Sequence, residues 1–299
     1  MLRSSPPVRR SSLSSVLTVL AFASVCITCG WWLGSDGRMP TQLRRHRTRP
    51  PLPRVLVLTT LTDDHDHLPA YFSALRNLTY PTQLLSLGLL ETGSTDKPSV
   101  HEISTLIKLN HRLDDFATMS GTMAAALIGL ERFRSRGWRS LSFATHEFDE
   151  PVSARNYLCM AAMQEDVEWV LWLDASTNAY PPDALLRLLD TQRDIVTANV
   201  RGDALSWRSA DSPGNSASPQ EVLSSQREGP RLPMRDIDGD VIRLDAVGAR
   251  FLLVRADLFR RGLVFPPFRY NGYTGTEAFS EVALHMGSLS YGAASVRVG

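Results

Sequence analysis

The chain has 299 residues, a formal net charge of +1 and 43% hydrophobic residues. That size and apolar content exclude a disordered chain and fit one globular domain of roughly 230–250 residues behind an N-terminal appendage. The balance of 32 basic and 31 acidic side chains argues against a polyanion, so no nucleic-acid partner is expected.

Residues 1–12 are polar and carry Arg3, Arg9 and Arg10, as a cytosolic tail would. Residues 13–34 contain no charged side chain and end near Trp31 and Trp32, an aromatic pair suited to a membrane interface. A helix needs about 20 apolar residues to span a bilayer, so this run reads as an uncleaved transmembrane anchor. A cleaved signal peptide is the competing reading. Residues 35–53, rich in Arg and Pro, read as an extended stem. Arg38, Arg44, Arg45, Arg47, Arg49 and Arg54 outnumber the arginines before the span. By a positive-inside count alone, everything downstream would be cytosolic. Asn77-Leu78-Thr79 is an N-glycosylation acceptor pattern and points instead to a lumenal domain. Cys26 and Cys29 lie in the apolar run and Cys159 has no soluble partner, so no disulfide is expected within the folded domain.

The domain itself is expected over 54–299. Residues 54–61 open it as a buried strand, followed by Asp63, Asp64, His65, Asp66 and His67. That cluster reads either as a metal site or as a solvated loop capping a helix over 68–77. A second strand is expected at 84–90 with its turn at 91–96, and residues 100–136 read as mainly helical. Arg132, Arg134, Arg136 and Arg139 read as a solvated helix end. Residues 152–163 form an amphipathic helix whose Arg155 and Asn156 are candidate contacts to a nucleotide sugar, with surface pairing as the alternative.

Residues 169–173 are a short apolar strand stopping on Asp174. Pro181 and Pro182 suit the first turn of a helix whose buried face is Leu185, Leu186, Leu188 and Leu189, and 195–200 is the next strand. In open α/β sheets ligands sit beyond the carboxyl ends of the strands, where Asp174 falls, although such an acid can simply cap a helix. Residues 201–240, rich in Ser, Pro, Gly and Asp, read as a long structureless loop with a functional or mobile role. Strands follow at 242–244 and 251–255. After them come a helical turn at 256–261 closed by Gly262, and a helix at 276–286. Alternating strands and helices imply an α/β sandwich around a mostly parallel sheet. The glycine fingerprints of dinucleotide and P-loop enzymes and the G-x-S-x-G elbow are all missing from the sequence.

An ordered series of stretches carries a family resemblance. They are Asn77-Leu-Thr-Tyr-Pro, Ser86-Leu-Gly-Leu-Leu, Ala154-Arg-Asn-Tyr-Leu, Trp169-Val-Leu-Trp-Leu-Asp-Ala and Asp194-Ile-Val-Thr-Ala-Asn-Val. Ser206-Trp207, Leu244-Asp-Ala-Val-Gly, Leu252-Leu-Val-Arg-Ala-Asp, Phe265-Pro-Pro-Phe and Thr276-Glu-Ala-Phe complete it. The chain resembles the fungal Golgi α-mannosyltransferases of glycosyltransferase family 62, subunits of mannan-polymerase complexes. That resemblance implies a GT-A-like fold, GDP-mannose as donor, Mn²⁺ as cofactor, a mannan or N-glycan acceptor and retaining transfer. It also implies a type II Golgi membrane protein with a lumenal domain, assembled with related subunits.

A dication bridging the donor's phosphates offsets the charge of a departing diphosphate, and hard cations want carboxylate ligands. The family's Asp-x-Asp becomes Asp174-Ala-Ser176 here, so Asp174 and Ser176 are the expected metal positions. Where the family shows Glu-Thr-Glu this chain has Gly275-Thr276-Glu277. The family also continues past its last strand to a histidine associated with the metal, whereas this sequence stops at Gly299. By resemblance, Asp245 and Glu277 are the expected catalytic carboxylates, with Arg155, Asn156 and Asn199 binding substrate; a turn role is the alternative for Asp245. The expectation is impaired or absent transfer, or an incomplete chain, with a non-catalytic scaffold subunit as the competing function.

Overall fold

A computed structural model describes residues 51–109 and 119–299. The expected tail and anchor, and the stem up to residue 50, lie outside the described residues. Among the described residues no helix is long and apolar enough to cross a membrane.

The strands are β1 (Val55–Leu61), β2 (Leu85–Glu91), β3 (Ser140–Thr145), β4 (Trp169–Leu173) and β5 (Ile195–Val200). β6 (Trp207–Ser209), β7 (Arg231–Pro233), β8 (Val241–Leu244), β9 (Phe251–Arg255) and β10 (Ser290–Val298) follow. The helices are α1 (Leu68–Arg76), α2 (Val100–Lys108), α3 (Gly121–Arg134), α4 (Pro151–Ala162), α5 (Ala184–Asp190), α6 (Pro219–Ser224), α7 (Ala256–Arg260) and α8 (Gly275–His285).

Eight strands form one sheet in the order β3-β2-β1-β4-β9-β5-β10-β8. β3, β2, β1 and β4 are parallel, as are β5 and β10. β9 lies between β4 and β5, antiparallel to both, and β8 closes the edge antiparallel to β10. The sheet is mixed and mostly parallel. Because both faces are covered, the strands read as apolar runs whose alternate residues feed different layers. Val57, Leu171, Leu173, Phe251 and Leu253 join Tyr71 and Phe72 of α1, Leu130 of α3 and Leu185 of α5. Leu56, Leu58, Val170, Trp172 and Leu252 join Leu158 of α4, Leu258 of α7 and Phe279 of α8.

The helical stretch expected over 100–136 contains α2 and α3, each opened by a serine cap. Ser99 accepts from the Glu102 N–H and Ser120 from the Met123 N–H. Pro181 and Pro182 do not enter the first turn of α5. The Ala184 N–H bonds the Pro181 carbonyl in a turn ahead of the helix, and Asp183 is its N-cap. The stretch 201–240 is not structureless. Trp207–Ser209 pairs antiparallel with Arg231–Pro233, and α6 between them is closed by a Ser218/Glu221 capping box. β3 escaped the sequence reading because it is an edge strand whose residues are half-buried or exposed.

α1 and α3 approach closely at Gly129, where an added Cβ would stand 2.0 Å from the Phe72 ring. Alanine at this helical site gains up to about 1 kcal/mol of helix propensity. Overpacking costs roughly 1–3 kcal/mol or more and outweighs it. Gly129→Ala is therefore expected to lower the denaturant midpoint, and an unchanged or raised midpoint would refute the close-packed contact.

Candidate functional site

From β1 the chain turns to β2 and β3 on one side and later to β4 on the other, so connections diverge between β1 and β4. Such a divergence opens a crevice beyond the carboxyl ends of the two strands. The strand ends are fixed from below: Thr59 Oγ1 donates to the Leu173 carbonyl at 2.7 Å and lies 2.6 Å from the Tyr71 hydroxyl. Asp64 follows β1 and Asp174 follows β4, both half-buried. Burial raises the Asp64 carboxyl above its ordinary range and the neighbouring Asp174 charge pushes the same way, against a hydrogen bond from the Thr62 N–H.

Asp174 makes a tight local turn. Its Oδ1 accepts from the Ser176 N–H at 2.9 Å and from the Ser176 hydroxyl at 2.6 Å. Leu173 pairs with Phe251 across the antiparallel β4–β9 ladder, which sets Arg250 beside Asp174. The Asp174 N–H bonds the Arg250 carbonyl at 3.0 Å, and Arg250 Nη2 reaches Ser176 Oγ at 3.3 Å. Arg155, on α4, lies near enough to feel the Asp174 charge: burial depresses its pKa, while that charge acts to raise it. Its guanidinium lies 5.7 Å from the Phe265 ring centroid. Arg250 is the residue the sequence reading missed, because only the insertion of β9 next to β4 brings it here.

Of the expected substrate-binding residues, Arg155 feels the Asp174 charge and the other two are held elsewhere. Asn156 uses both ends of its amide on the Phe265 main chain, donating to its carbonyl at 2.7 Å and accepting from its N–H at 2.9 Å. Asn199 donates to the Ala294 carbonyl at 3.5 Å and lines a cleft of about 420 Å³ at the carboxyl ends of β5 and β10. Arg201 lines the same cleft, and its carbonyl accepts from Arg250 at 3.4 Å. Asn77 is exposed at the end of α1.

Asp245 and Glu277 sit in a separate polar cluster around the β6–β7 hairpin. Asp245 is buried against Arg243, at 2.7 Å, and also accepts from the Ser209 N–H and the Ser212 hydroxyl. Glu277 accepts from Trp207 Nε1 at 3.0 Å and pairs with Arg231 at 2.8 Å, while Arg231 stacks 4.2 Å from the centroid of the Trp207 ring. Behind them Glu281 is held by both nitrogens of a bidentate Arg227. Gly248 completes the cluster: its N–H bonds Ser206, and a Cβ there would meet Asp203 at 2.4 Å.

A hard dication at a phosphate site is held by one or two carboxylates together with waters and phosphate oxygens, and the Asp174 turn supplies a single carboxylate. Position 176 offers a neutral hydroxyl already bonded to Asp174 and to Arg250. Among the described residues no group of three or more His, Cys, Asp or Glu side chains converges to hold a metal. The metal reading of residues 63–67 ends there. Asp63 accepts from the Thr95 and Asp96 N–H groups, and His65 bonds Glu102 and Asp66. The hydrogen bond to Glu102 keeps the His65 pKa raised despite burial that acts to lower it. Cys159 is free and buried, its thiol pushed up to about 12 by burial.

The Anp1 family model matches residues 43–126 and 151–212. The mannan polymerase II complex ANP1 subunit of Saccharomyces cerevisiae is 26% identical over 270 residues, covering 78% of this chain and 52% of the relative. The mannan polymerase complex subunit mnn9 of Schizosaccharomyces pombe is 27% identical over 267 residues, covering 80% and 77%. These matches support an Anp1-like family for this chain. The chain spans only 52% and 62% of the S. cerevisiae and S. pombe ANP1 subunits it matches.

Among solved structures, the mannosyltransferase PcManGT from Pyrobaculum calidifontis, in complex with GDP-Man and Mn²⁺, superposes with a TM-score of 0.53 at 15% identity. The match covers 95% of this chain and 66% of that one. GalNAc-T7 with UDP, GalNAc and Mn²⁺ gives 0.53 at 13% identity over 84% of this chain and 44% of that one. These likenesses show the fold: a GT-A-like glycosyltransferase sheet carries this Anp1-like sequence.

Removing one partner of a buried ion pair leaves a buried charge unpaired, at about 3–5 kcal/mol. Asp245→Ala in this Anp1-like chain is therefore expected to lose stability of that order in chemical denaturation. A fully stable Asp245→Ala would show that the Arg243 pair does not hold the cluster together.

Proposed function

We propose that this chain is a GDP-mannose-binding α-mannosyltransferase of the mannan-building type, with transfer weakened by Ser176. Its domain faces the Golgi lumen behind an N-terminal anchor, and it works beside related subunits on a mannan or N-glycan acceptor. The observation that carries this reading is Asp174 at the carboxyl end of β4, bonded through its N–H to the Arg250 carbonyl, with the Arg250 guanidinium reaching Ser176 in the same turn. The relatives' names as mannan polymerase complex subunits support the acceptor class and the assembly. The GDP-Man in PcManGT supports the donor.

In this reading the chain's residues bind and orient rather than exchange protons. Arg155 and Arg250 hold the donor's diphosphate, where negative charge accumulates as the sugar departs. Asp174 keeps Arg250 and Ser176 in place through its turn. The Thr59–Tyr71 bond beneath Leu173 keeps the strand ends from shifting.

The second reading is a non-catalytic subunit. It is favoured by the engagement of both expected catalytic carboxylates: Asp245 is buried on Arg243, and Glu277 is bonded to Trp207 and Arg231. Transfer of radiolabelled mannose by the purified full chain decides between them. The expected result is measurable GDP-mannose binding with transfer roughly 10²-fold below that of an active relative, the scale of losing one charge-stabilising group. Turnover equal to the relative's would refute the weakened-transfer reading. Absence of GDP-mannose binding would refute the nucleotide-sugar reading and leave the non-catalytic subunit.

Exposed Asn77 gives a check on topology. In a secretory eukaryotic host the chain is expected to lose one glycan's mass with endoglycosidase, and Asn77→Gln to abolish that shift. An unshifted native chain would refute the lumenal placement of this loop.

A further inference from the structure

Two features of the crevice have no role in a metal-bridged site. One is Arg250, which stands where the ladder places it beside Asp174 and reaches Ser176, the position of the missing acid. The other is Arg155, half-buried, whose guanidinium has no hydrogen bond or ion pair among the described residues and lies 5.7 Å from the Phe265 ring centroid. A guanidinium presents five N–H donors in a planar fork suited to phosphate oxygens. Arg250 commits only two of its donors, at 3.3 and 3.4 Å, near the long limit for such bonds. Most of the donor capacity at this crevice is therefore unspent.

Charge makes the same point. Two carboxylates and a dication sum to zero, and so do Asp174 and Arg250. A carboxylate at 176 would draw in a cation, whereas the neutral hydroxyl relays Asp174 to a fixed guanidinium. A free dication entering here would meet two positive side chains and only one carboxylate in the turn, with Asp64 as the further acid, its pKa raised.

We infer that the crevice binds the diphosphate of its nucleotide ligand through Arg155 and Arg250 without a divalent cation, the Arg250–Ser176 contact standing where a second metal-binding acid would be. This rests on the nucleotide-sugar reading above, which it narrows. The ligand class is a nucleoside diphosphate or its sugar ester. Binding is by charge-assisted hydrogen bonds, with no bond made or broken.

The test is calorimetric titration of GDP and of GDP-mannose into the purified full chain, after chelation with EDTA and again with added Mn²⁺. The expected dissociation constants agree within about two-fold in the two conditions, because no bound dication contributes. Arg155→Gln and Arg250→Gln are each expected to weaken binding by about ten-fold or more under EDTA, the loss of a charge-assisted contact. Denaturation midpoints of both variants separate lost binding from lost folding; a folded Arg250→Gln that binds like the native chain overturns the inference. Binding that tightens ten-fold or more with Mn²⁺ overturns it too, while leaving the nucleotide-sugar reading intact. Absence of binding in both conditions removes the nucleotide-sugar reading and this inference with it.

Discussion

The pairing of β4 with β9 is the constraint from which the rest of the site follows. Leu173 stands opposite Phe251, so the residues just beyond each strand end, Asp174 and Arg250, meet side by side and share a main-chain hydrogen bond. A parallel neighbour would have brought the far end of a strand to this point instead. Reversing one strand inside an otherwise parallel region thus delivers a loop from late in the sequence to the tip of β4. The loop carrying Arg250 is the same one that carries Asp245 and Gly248, so the crevice and the buried polar cluster are tied together through six residues of chain.

That cluster explains how the stretch between β5 and β8 becomes ordered. Its composition alone has too few apolar residues to form a core. Three polar anchors do the work instead: Asp203 accepts from the Leu205 N–H and the Ser206 hydroxyl, Asp245 accepts from Ser209 and Ser212, and Glu277 holds Trp207 and Arg231. Buried pairs of this kind contribute little net stability compared with apolar packing, but leaving any one partner alone is costly. The hairpin is consequently specified by mutual satisfaction of polar groups together with the buried side chains of Trp207, Val222 and Met234.

At the crevice the electrostatics are nearly self-contained. Two opposite unit charges about 4 Å apart attract by roughly 1 kcal/mol in bulk water and about 4 kcal/mol near a protein surface. Asp174, Arg155 and Arg250 are all half-buried, so attraction among them is screened less than in bulk water. An anionic ligand entering there exchanges one carboxylate partner for its own phosphates. The surrounding frame, from the Thr59 bond to the Asn156 clamp on Phe265, holds the two arginine-bearing elements in fixed relation.

The sequence by itself determined the sheet's central strands, because runs such as 169–173 and 195–200 are buried on both faces and must be continuously apolar. It also determined that Asp174 ends a strand and that Ser176 breaks the acidic pair, since both follow from adjacent residues. Helix ends at Ser99 and Ser120, and the edge strand β3, were less legible, the first because two helices share one apolar stretch and the second because its burial is partial. Only the tertiary structure decided that Arg250 faces Asp174, that Asn156 clamps Phe265, and that Asp245 is buried on Arg243. Each of the first two contacts joins residues more than seventy positions apart, and the third depends on a hairpin folded over it from the stretch before β8. Periodicity reports which face a residue occupies; it carries no information on which strand becomes that residue's neighbour.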